Sequence, residues 1–257
     1  MFAIERVKII KNHLNKDQKV SVAKLSELLN VTEVTIRRDL EKLEKEGFLK
    51  RTHGGAVALS YVEENQMDEN TDHYEDELCQ EIASTAYHLV SDFESIMLTN
   101  GPTNLQIAKK LATRSNLTVV TNDIRIAMEF SGSLNNTLIM IGGDLDNYAV
   151  FGQMAIDNMK NFSFNHLFIE IDGMSKEIGM TVSSIKKASL IQQALPLAET
   201  VTVVCLSRYF GEKSLYRVGS LEVAQKVVTD SKLADHYKNY IFNLNIPLFT
   251  SIEIYEE

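Results

Sequence analysis

The sequence of 257 residues predicts an α/β protein in two parts: a small N-terminal helical module with a β-wing, and a larger α/β domain with a mostly parallel sheet. The first observation is the distribution of charge: residues 1–59 hold 12 Lys and Arg against 8 Asp and Glu, a net charge of +4, and the rest of the chain has a net charge of −13. The second is helical spacing in the basic part, and the third is alternation of apolar runs with helical patterns in the acidic part. An acidic run separates the two. We therefore expect domains at 1–59 and 78–257 joined by an acidic linker at 60–77.

The composition excludes several classes of protein. Hydrophobic residues make up 44% and charged residues 24% of the chain, which is typical of a globular protein. No stretch reaches the roughly 18 uncharged apolar residues of a membrane span, and charges interrupt the N-terminal segment where a signal peptide is apolar. The two cysteines, Cys79 and Cys205, are too far apart in sequence for a zinc ribbon or redox pair. These features favour a cytoplasmic location without a membrane partner.

The first 59 residues predict three helices and a wing. Apolar residues between 4 and 14 recur at helical spacing, Ser21 is the expected N-cap of a second helix, and Thr32 is the expected N-cap of a third. Gly47 is expected to end the third helix, and two short extended runs within 48–57 predict the wing. One face of the third helix is apolar, with Ile36, Leu40 and Leu43.

The opposite face of the third helix and the wing hold the candidate DNA contacts. A short helix, a tight turn and a longer helix with exposed arginines suit the major groove, since Arg pairs with guanine edges and hydroxyl groups bond bases or phosphates. The alternative is a solvated face whose arginines pair with Asp39 and Glu41. The wing suits phosphate contacts beside the groove, although His53 there is equally well explained by a structural hydrogen bond. The candidates are Thr32, Thr35, Arg37, Arg38, Lys42, Lys50, Arg51 and His53.

The second part predicts a parallel sheet with a ligand site at one edge. Strands are expected at 95–98, 117–121, 137–141, 166–171, 201–206 and 226–229, and helices at 104–111, 124–130 and 185–195. In such folds ligands bind at the carboxyl ends of the strands, and glycine amides at a helix start suit a phosphate or a polyol. Each glycine taken singly is also explained by turn chemistry. The candidates are Gly101, Thr103, Thr121, Asn122, Gly142, Gly143, Asp172 and Gly173.

A known family shares these motifs. Thr32, residues 35–40, Leu43, Gly47 and residues 51–56 resemble the signature of DeoR-type bacterial transcriptional regulators. The order of the later Gly, Thr, Asn and Asp candidates resembles that family's sensor domain, whose fold is similar to ribose-5-phosphate isomerase. The resemblance implies a winged helix-turn-helix followed by an effector-sensing α/β domain. It also implies two partners, operator DNA and a small-molecule effector, usually a phosphorylated sugar, and no cofactor.

The chain departs from the family pattern at several positions of the sensor domain. Thr99 stands where the family usually has Asp, and Ile191 stands near the position of a basic residue in the later helix. Tyr209 replaces a Lys, so Arg208 is the candidate cation for an effector phosphate. Pro102 removes one amide donor from the first loop. These departures leave three alternatives for the effector: a different phosphorylated sugar, an uncharged sugar, or no sugar ligand.

Two functions compete. The first is a regulator, in this family usually a repressor, of carbohydrate uptake or catabolism genes. The second is a sugar-phosphate isomerase-like enzyme with a DNA-binding arm, for which Asp123, Asp144 and Asp172 are available carboxylates. The positions of the family's Asp and Lys are Leu206 and Tyr209, so we expect no catalytic residue, and the scattered histidines predict no metal site. Palindromic operators favour a homodimer or a higher homo-oligomer.

Overall fold

The computed structural model describes residues 3–17, 19–45, 48–52, 54–58 and 69–250, and the chain divides into two compact units, Met1–Asp72 and His73–Glu257. The predictions for Gly47, for His53 and for linker residues 60–68 fall outside the described residues. Within the described part, no helix is both long enough and apolar enough to cross a membrane.

The first unit contains the predicted helices and wing. Its elements are helices α1 (Ala3–Asp17), α2 (Val22–Leu29) and α3 (Glu33–Lys45), and strands β1 (Lys19–Ser21), β2 (Leu49–Thr52) and β3 (Gly55–Ala58). The three strands form an antiparallel sheet in the order β1-β3-β2, so the wing hairpin gains a strand that the helical spacing did not predict. The core of the unit is apolar and includes Ile10, Leu14, Leu25, Leu29, Ile36, Leu40 and Leu43, which confirms the predicted buried face of α3.

The two predicted N-caps of this unit have different outcomes. The Thr32 hydroxyl accepts a hydrogen bond from the Thr35 amide at 3.4 Å at the start of α3, which confirms its capping role. Ser21 is the N-cap residue of α2, as predicted, but its side chain makes no capping hydrogen bond, so only the position is confirmed. Ser21 is also the last residue of β1, where it is paired with Gly55.

The second unit is built from helices and strands in alternation. The helices are α4 (Glu69–Tyr87), α5 (Pro102–Leu111), α6 (Ile124–Phe130), α7 (Gln153–Met159), α8 (Ile185–Ala194) and α9 (Asp235–Asn243). The strands are β4 (Ser95–Leu98), β5 (Thr118–Thr121), β6 (Thr137–Met140), β7 (Asp144–Asp146), β8 (Ala149–Phe151), β9 (Phe164–Glu170), β10 (Gly173–Ser175), β11 (Gly179–Val182), β12 (Ala198–Val204), β13 (Tyr216–Gly219), β14 (Lys226–Val228) and β15 (Leu248–Phe249). Residues 69–77 of the predicted linker therefore form the start of α4.

A seven-stranded parallel sheet forms the centre of this unit and confirms the predicted fold class. Its order is β15-β14-β12-β9-β4-β5-β6, and all six predicted strands belong to it. Alternate residues of β4 face opposite sides, since Ile96 and Leu98 pack with residues of α4, α5 and α6, whereas Met97 packs with residues of α7, α8 and α9. Helices thus cover both faces of the sheet, as the continuous apolar strands predict.

The order of the strands indicates where a ligand site is expected. From β4 the chain continues to β5 and β6 on one side, and it returns to β9 on the other side of β4. The strand order therefore reverses between β4 and β9, and in open α/β sheets this topological switch point is where ligands bind, at the carboxyl ends of the strands. The β7–β8 hairpin follows β6, and a small antiparallel sheet of β10, β11 and β13 lies outside the main sheet.

Candidate functional sites

Helix α3 presents a basic face in the first unit. Arg38 and Lys42 are one helical turn apart and exposed, and neither has a hydrogen-bond or ion-pair partner among the residues that the structure describes. Arg37 is engaged by Glu33 at 3.1 Å, an exposed pair on the same helix. The Thr35 and Thr32 hydroxyls lie 3.0 Å apart. Of the two predicted arginines, Arg38 is therefore the one whose guanidinium is free to contact another molecule.

Asp39 has a structural role that the sequence reasoning missed. Its carboxylate is 9% exposed and accepts two hydrogen bonds from Arg6 on α1, at 2.8 Å from Nε and 3.2 Å from Nη2. This bidentate pair joins α1 to α3. The alternative in which the α3 arginines pair with Asp39 is thus not what the structure contains. The spacing of Asp39, three residues after Ile36 and four before Leu43, already places it on the buried face.

The wing lies beside the end of α3. Strands β2 and β3 pair antiparallel with Arg51 opposite Ala56, and the Arg51 amide donates to Glu44 Oε1 of α3 at 2.9 Å. The Arg51 side chain is exposed, and Lys50 precedes it on β2. A Cβ atom on Gly55 would lie 1.9 Å from the Val20 carbonyl oxygen, so the tight approach of β1 to β3 requires glycine there.

In the second unit, a side chain of the protein occupies the first predicted ligand loop. Gly101 precedes α5, and the amides of Thr103 and Asn104 in its first turn donate to the Glu170 carboxylate at 3.1 and 2.9 Å. Glu170 is the last residue of β9 and is 6% exposed. A Cβ atom on Gly101, where φ is +153°, would lie 2.2 Å from Glu170 Oε2. Glycine is thus needed there to admit the protein's own carboxylate.

The ionisation of Glu170 is set by opposing effects. Burial raises the pKa of Glu170 above its ordinary value, while the Lys187 ammonium and the two amide hydrogen bonds act against that rise. Each carboxylate oxygen accepts one of the amide N–H groups, which is the pattern of an ionised carboxylate.

A second charged cluster follows β9. The Lys187 ammonium on α8 donates to Asp172 Oδ1 at 2.7 Å, and the Ser183 amide and hydroxyl both donate to Asp172 Oδ2 at 2.7 Å. Burial acts to raise the pKa of Asp172, but the ammonium and these hydrogen bonds outweigh it and lower the pKa. Lys187 is 6% exposed and lies one turn before Ile191, so the buried basic residue of α8 is at 187. The four-residue spacing on one helix face was the available signal.

The other predicted residues connect neighbouring strand ends. The Asn100 amide donates to Asn122 Oδ1 at 2.9 Å, and the Thr121 hydroxyl donates to the Leu98 carbonyl at 2.9 Å, so the ends of β4 and β5 are cross-linked. Asp123 caps α6 and pairs with Arg125 at 2.6 Å. These side chains are placed at the predicted edge, but most of their polar atoms are already used within the protein.

Two of the predicted glycines have a packing explanation. A Cβ atom on Gly143 would lie 2.4 Å from the Phe151 carbonyl oxygen, and one on Gly173 would lie 2.7 Å from the Thr181 hydroxyl oxygen. Gly142 is less constrained, because its nearest neighbour would be the Asn158 amide nitrogen at 3.4 Å. Binding by these three residues stays a prediction.

Arg208, the candidate cation for an effector phosphate, is already paired within the protein. Its guanidinium pairs with the Glu75 carboxylate of α4, with Nη2 at 2.9 Å from Oε2, and Nη2 also lies 2.6 Å from the Tyr209 hydroxyl. An effector contact by Arg208 would have to replace the pair with Glu75.

A winged helix-turn-helix with a free basic face, followed by a parallel α/β domain with a polar edge at its switch point, defines a DNA-binding transcriptional regulator with a sensor domain. Family models match both parts: residues 6–62 match the DeoR-like helix-turn-helix domain, and residues 76–231 match the DeoR C terminal sensor domain. The chain belongs to the DeoR family of transcriptional regulators.

Known proteins resemble the chain over most of its length. An uncharacterized HTH-type transcriptional regulator, YulB, of Bacillus subtilis is 32% identical over 91% of both chains. The transcriptional repressor AccR of Agrobacterium fabrum is 28% identical over 85% of this chain and 86% of its own. Among solved structures, ribose 5-phosphate isomerase A from Methanocaldococcus jannaschii matches with 13% identity and a TM-score of 0.40, over 52% of this chain and 54% of that chain. The family assignment identifies the chain as a regulator and not an enzyme.

Proposed function

We propose that the chain represses genes of carbohydrate uptake or catabolism, and that a sugar-derived effector changes its affinity for operator DNA. The effector is a phosphorylated sugar or a related polyhydroxylated compound, bound at the carboxyl edge of the sheet. The observation that carries the DNA-binding part is the exposed face of α3, where Arg38 and Lys42 have no partner within the described ranges. The repressor assignment is supported by the name of the relative AccR.

In this proposal, α3 enters the major groove and the wing contacts the backbone. Arg38 supplies a planar fork of donors for a guanine edge or a phosphate, and Lys42, one turn later, supplies a second charge on the same face. Arg51 on the wing reaches phosphates beside the groove and positions the protein without reading sequence. Lys50, which precedes Arg51 on β2, remains a predicted phosphate contact, and His53 remains a candidate contact.

The effector acts through a difference in affinity. A ligand at the sheet edge shifts the balance between DNA-competent and DNA-incompetent states only as far as it binds one of them more tightly. We therefore expect the effector and the operator to weaken each other's binding by the same factor. The contacts predicted from the sequence, among them Thr103, Asn122, Asp172 and Arg208, remain predictions, and Lys187 is added by its position beside Asp172.

The functional form is a homodimer or a higher homo-oligomer, because a single recognition helix gives weak specific binding and palindromic operators require protein symmetry. Light scattering at micromolar concentration should give a mass of at least twice 29.0 kDa. A species of 29.0 kDa in the absence of DNA, together with one protein chain per duplex in the complex, would contradict this.

The DNA-binding part is tested by replacing Arg38. The native chain is first used to select its duplex from a random-sequence pool, and affinities for that duplex are then measured at several salt concentrations. If Arg38 contacts a base, Arg38→Ala should bind the duplex about 5- to 150-fold more weakly. If Arg38 contacts a phosphate, the slope of log affinity against log salt concentration should be smaller in magnitude by about one. Arg217→Ala is the matched control, since it removes the same charge from β13. If Arg38→Ala keeps native affinity and slope, α3 is not the reading helix.

A further inference from the structure

The crevice at the switch point already contains an anion of the protein itself. It lies between β4 and β9, where the Glu170 carboxylate accepts both first-turn amides of α5, from Thr103 and Asn104. The same amides were the donors that the sequence offered to a phosphate group. Because both are used, and because Pro102 has no N–H, the start of α5 has lost its main donors for an external anion.

The charges around the crevice also disfavour a phosphate. The end of β9, the segments that follow β5, β6 and β9, and the first turn of α8 contain three cations, Arg125, Lys186 and Lys187, and five carboxylates, Asp123, Asp144, Asp146, Glu170 and Asp172. Each of the three cations is paired with one of these carboxylates, at 2.6 to 2.7 Å, and Arg208, which follows β12, is paired with Glu75 of α4. A phosphate dianion would therefore add to a surplus of negative charge.

The polar groups that remain suit hydroxyl groups. The Lys187 ammonium has three N–H donors, and within the described residues it contacts only Asp172. The side-chain oxygen of Asn104 is buried and has no hydrogen-bond partner in the described part of the chain. A hydroxyl both donates and accepts, so it can satisfy the Lys187 ammonium and the Asp172 carboxylate, whereas an ionised phosphate oxygen only accepts and can satisfy only the ammonium.

We propose that Glu170 is a specificity-determining residue, which fills the anion position at the start of α5 so that the effector is a polyhydroxylated compound without a phosphate group. This inference rests on the proposed function in one respect, since it takes the sheet edge to be the effector site. It selects the uncharged member of the effector class proposed above.

Inorganic phosphate is the probe for the exclusion step. The full-length native chain is melted with increasing phosphate, and potassium chloride of equal ionic strength is the reference. Native protein should show no phosphate-specific stabilisation. Glu170→Ala frees the two amides, so phosphate should raise its melting temperature saturably, by at least about 2 °C. Asp146→Ala is the control, because it removes an exposed carboxylate at the same edge without freeing the α5 amides.

Each outcome decides the proposal. Stabilisation of Glu170→Ala alone supports it. Saturable stabilisation of the native chain by phosphate overturns it, and so does the absence of any phosphate effect in Glu170→Ala, because Glu170 would then not be what excludes the anion. An equal gain in Asp146→Ala would mean that net charge alone is responsible, and this also overturns it. If Glu170→Ala unfolds in chloride, phosphate should restore its folded far-ultraviolet spectrum, and failure to do so counts against the proposal.

The ligand class is tested with matched pairs. Free hexoses and hexitols, and separately the phosphate monoester of each, are titrated into the full-length native chain by calorimetry. Binding of a free compound at least tenfold tighter than its monoester is expected, and the reverse order overturns the inference. The DNA affinity of the same preparation is measured in parallel. If the native protein binds no DNA in the absence of added sugar, the proposed function is contradicted, while the phosphate result would still stand on its own.

Discussion

Two adjacent lysines of α8 make equally short ion pairs in different surroundings. Lys186 Nζ is 2.6 Å from Asp146, and Lys187 Nζ is 2.7 Å from Asp172. The first pair is at the surface, with side chains 51% and 45% exposed, and the second is mostly buried, with side chains 8% and 26% exposed. Replacement of each lysine by methionine, which has a similar length and no charge, therefore compares one interaction at two levels of burial.

The expected losses follow from that burial. An exposed ion pair contributes about 0 to 1 kcal/mol, so Lys186→Met should be nearly neutral. Removal of one partner from a fully buried pair costs about 3 to 5 kcal/mol. Asp172 keeps two hydrogen bonds from Ser183 and about a quarter of its exposure to water, so we expect about 2 to 3 kcal/mol for Lys187→Met.

Urea denaturation at neutral pH, followed by circular dichroism, measures both losses in the transition of the second unit. The double variant Asp172→Asn with Lys187→Met should recover part of the loss, because it leaves no unpaired buried charge. Equal losses for Lys186→Met and Lys187→Met would refute the reasoning, since burial would then not determine what the pair contributes.

Two further predictions concern the second unit. Burial, with a smaller contribution from Lys226, lowers the pKa of His166 from 6.5 to about 3, so the folded state holds it neutral. The neutral, buried His166 therefore contributes to stability above pH 6.5, and the free energy of unfolding falls as the pH is lowered towards 3, by roughly 3 kcal/mol at about pH 4. Urea titrations of native protein and His166→Gln should diverge in that pH range. Parallel pH profiles of the two proteins would contradict the prediction. Gly101→Ala should lower the stability of the unit by about 1 to 3 kcal/mol, because the new methyl group meets the Glu170 carboxylate at a positive φ. Gly132→Ala, with open space around its Cβ position, is the control for thermal unfolding, and equal melting temperatures of both variants would contradict the strain.

The sequence predicted the main sheet because its strands are continuous apolar runs. The run at 166–171, for example, became β9, which is buried on both faces between β4 and β12. The short strands β7, β10 and β13 contain no two adjacent apolar residues, so no apolar run marks them in the sequence. The strand β1 was missed for the same reason.

The site was only partly predictable. Strand order places Gly101, Asn122 and Asp172 at one edge, and the alternation of strands and helices was enough to foresee that. The partners of Glu170 and Lys187 depend on which side chains meet between two elements, and no local pattern identifies those partners. Glu170 nevertheless stands as a carboxylate within an apolar run, and a charge at a buried strand position requires a partner. That requirement is the signal by which the internal anion could have been anticipated.

Under the proposal, an effector binds at this edge mainly by exchanging contacts, because the charged groups there are already paired. A hydroxyl that approaches Lys187 can share its ammonium with Asp172, and no buried charge is left alone. A phosphate at the start of α5 would have to displace Glu170 from two amides, and a buried carboxyl group without donors is costly. Under the proposal, the difference between these two exchanges sets the selectivity of the sensor. Coupling to DNA then requires that the effector's contacts with Asp172 and Lys187 differ between the DNA-competent and DNA-incompetent states.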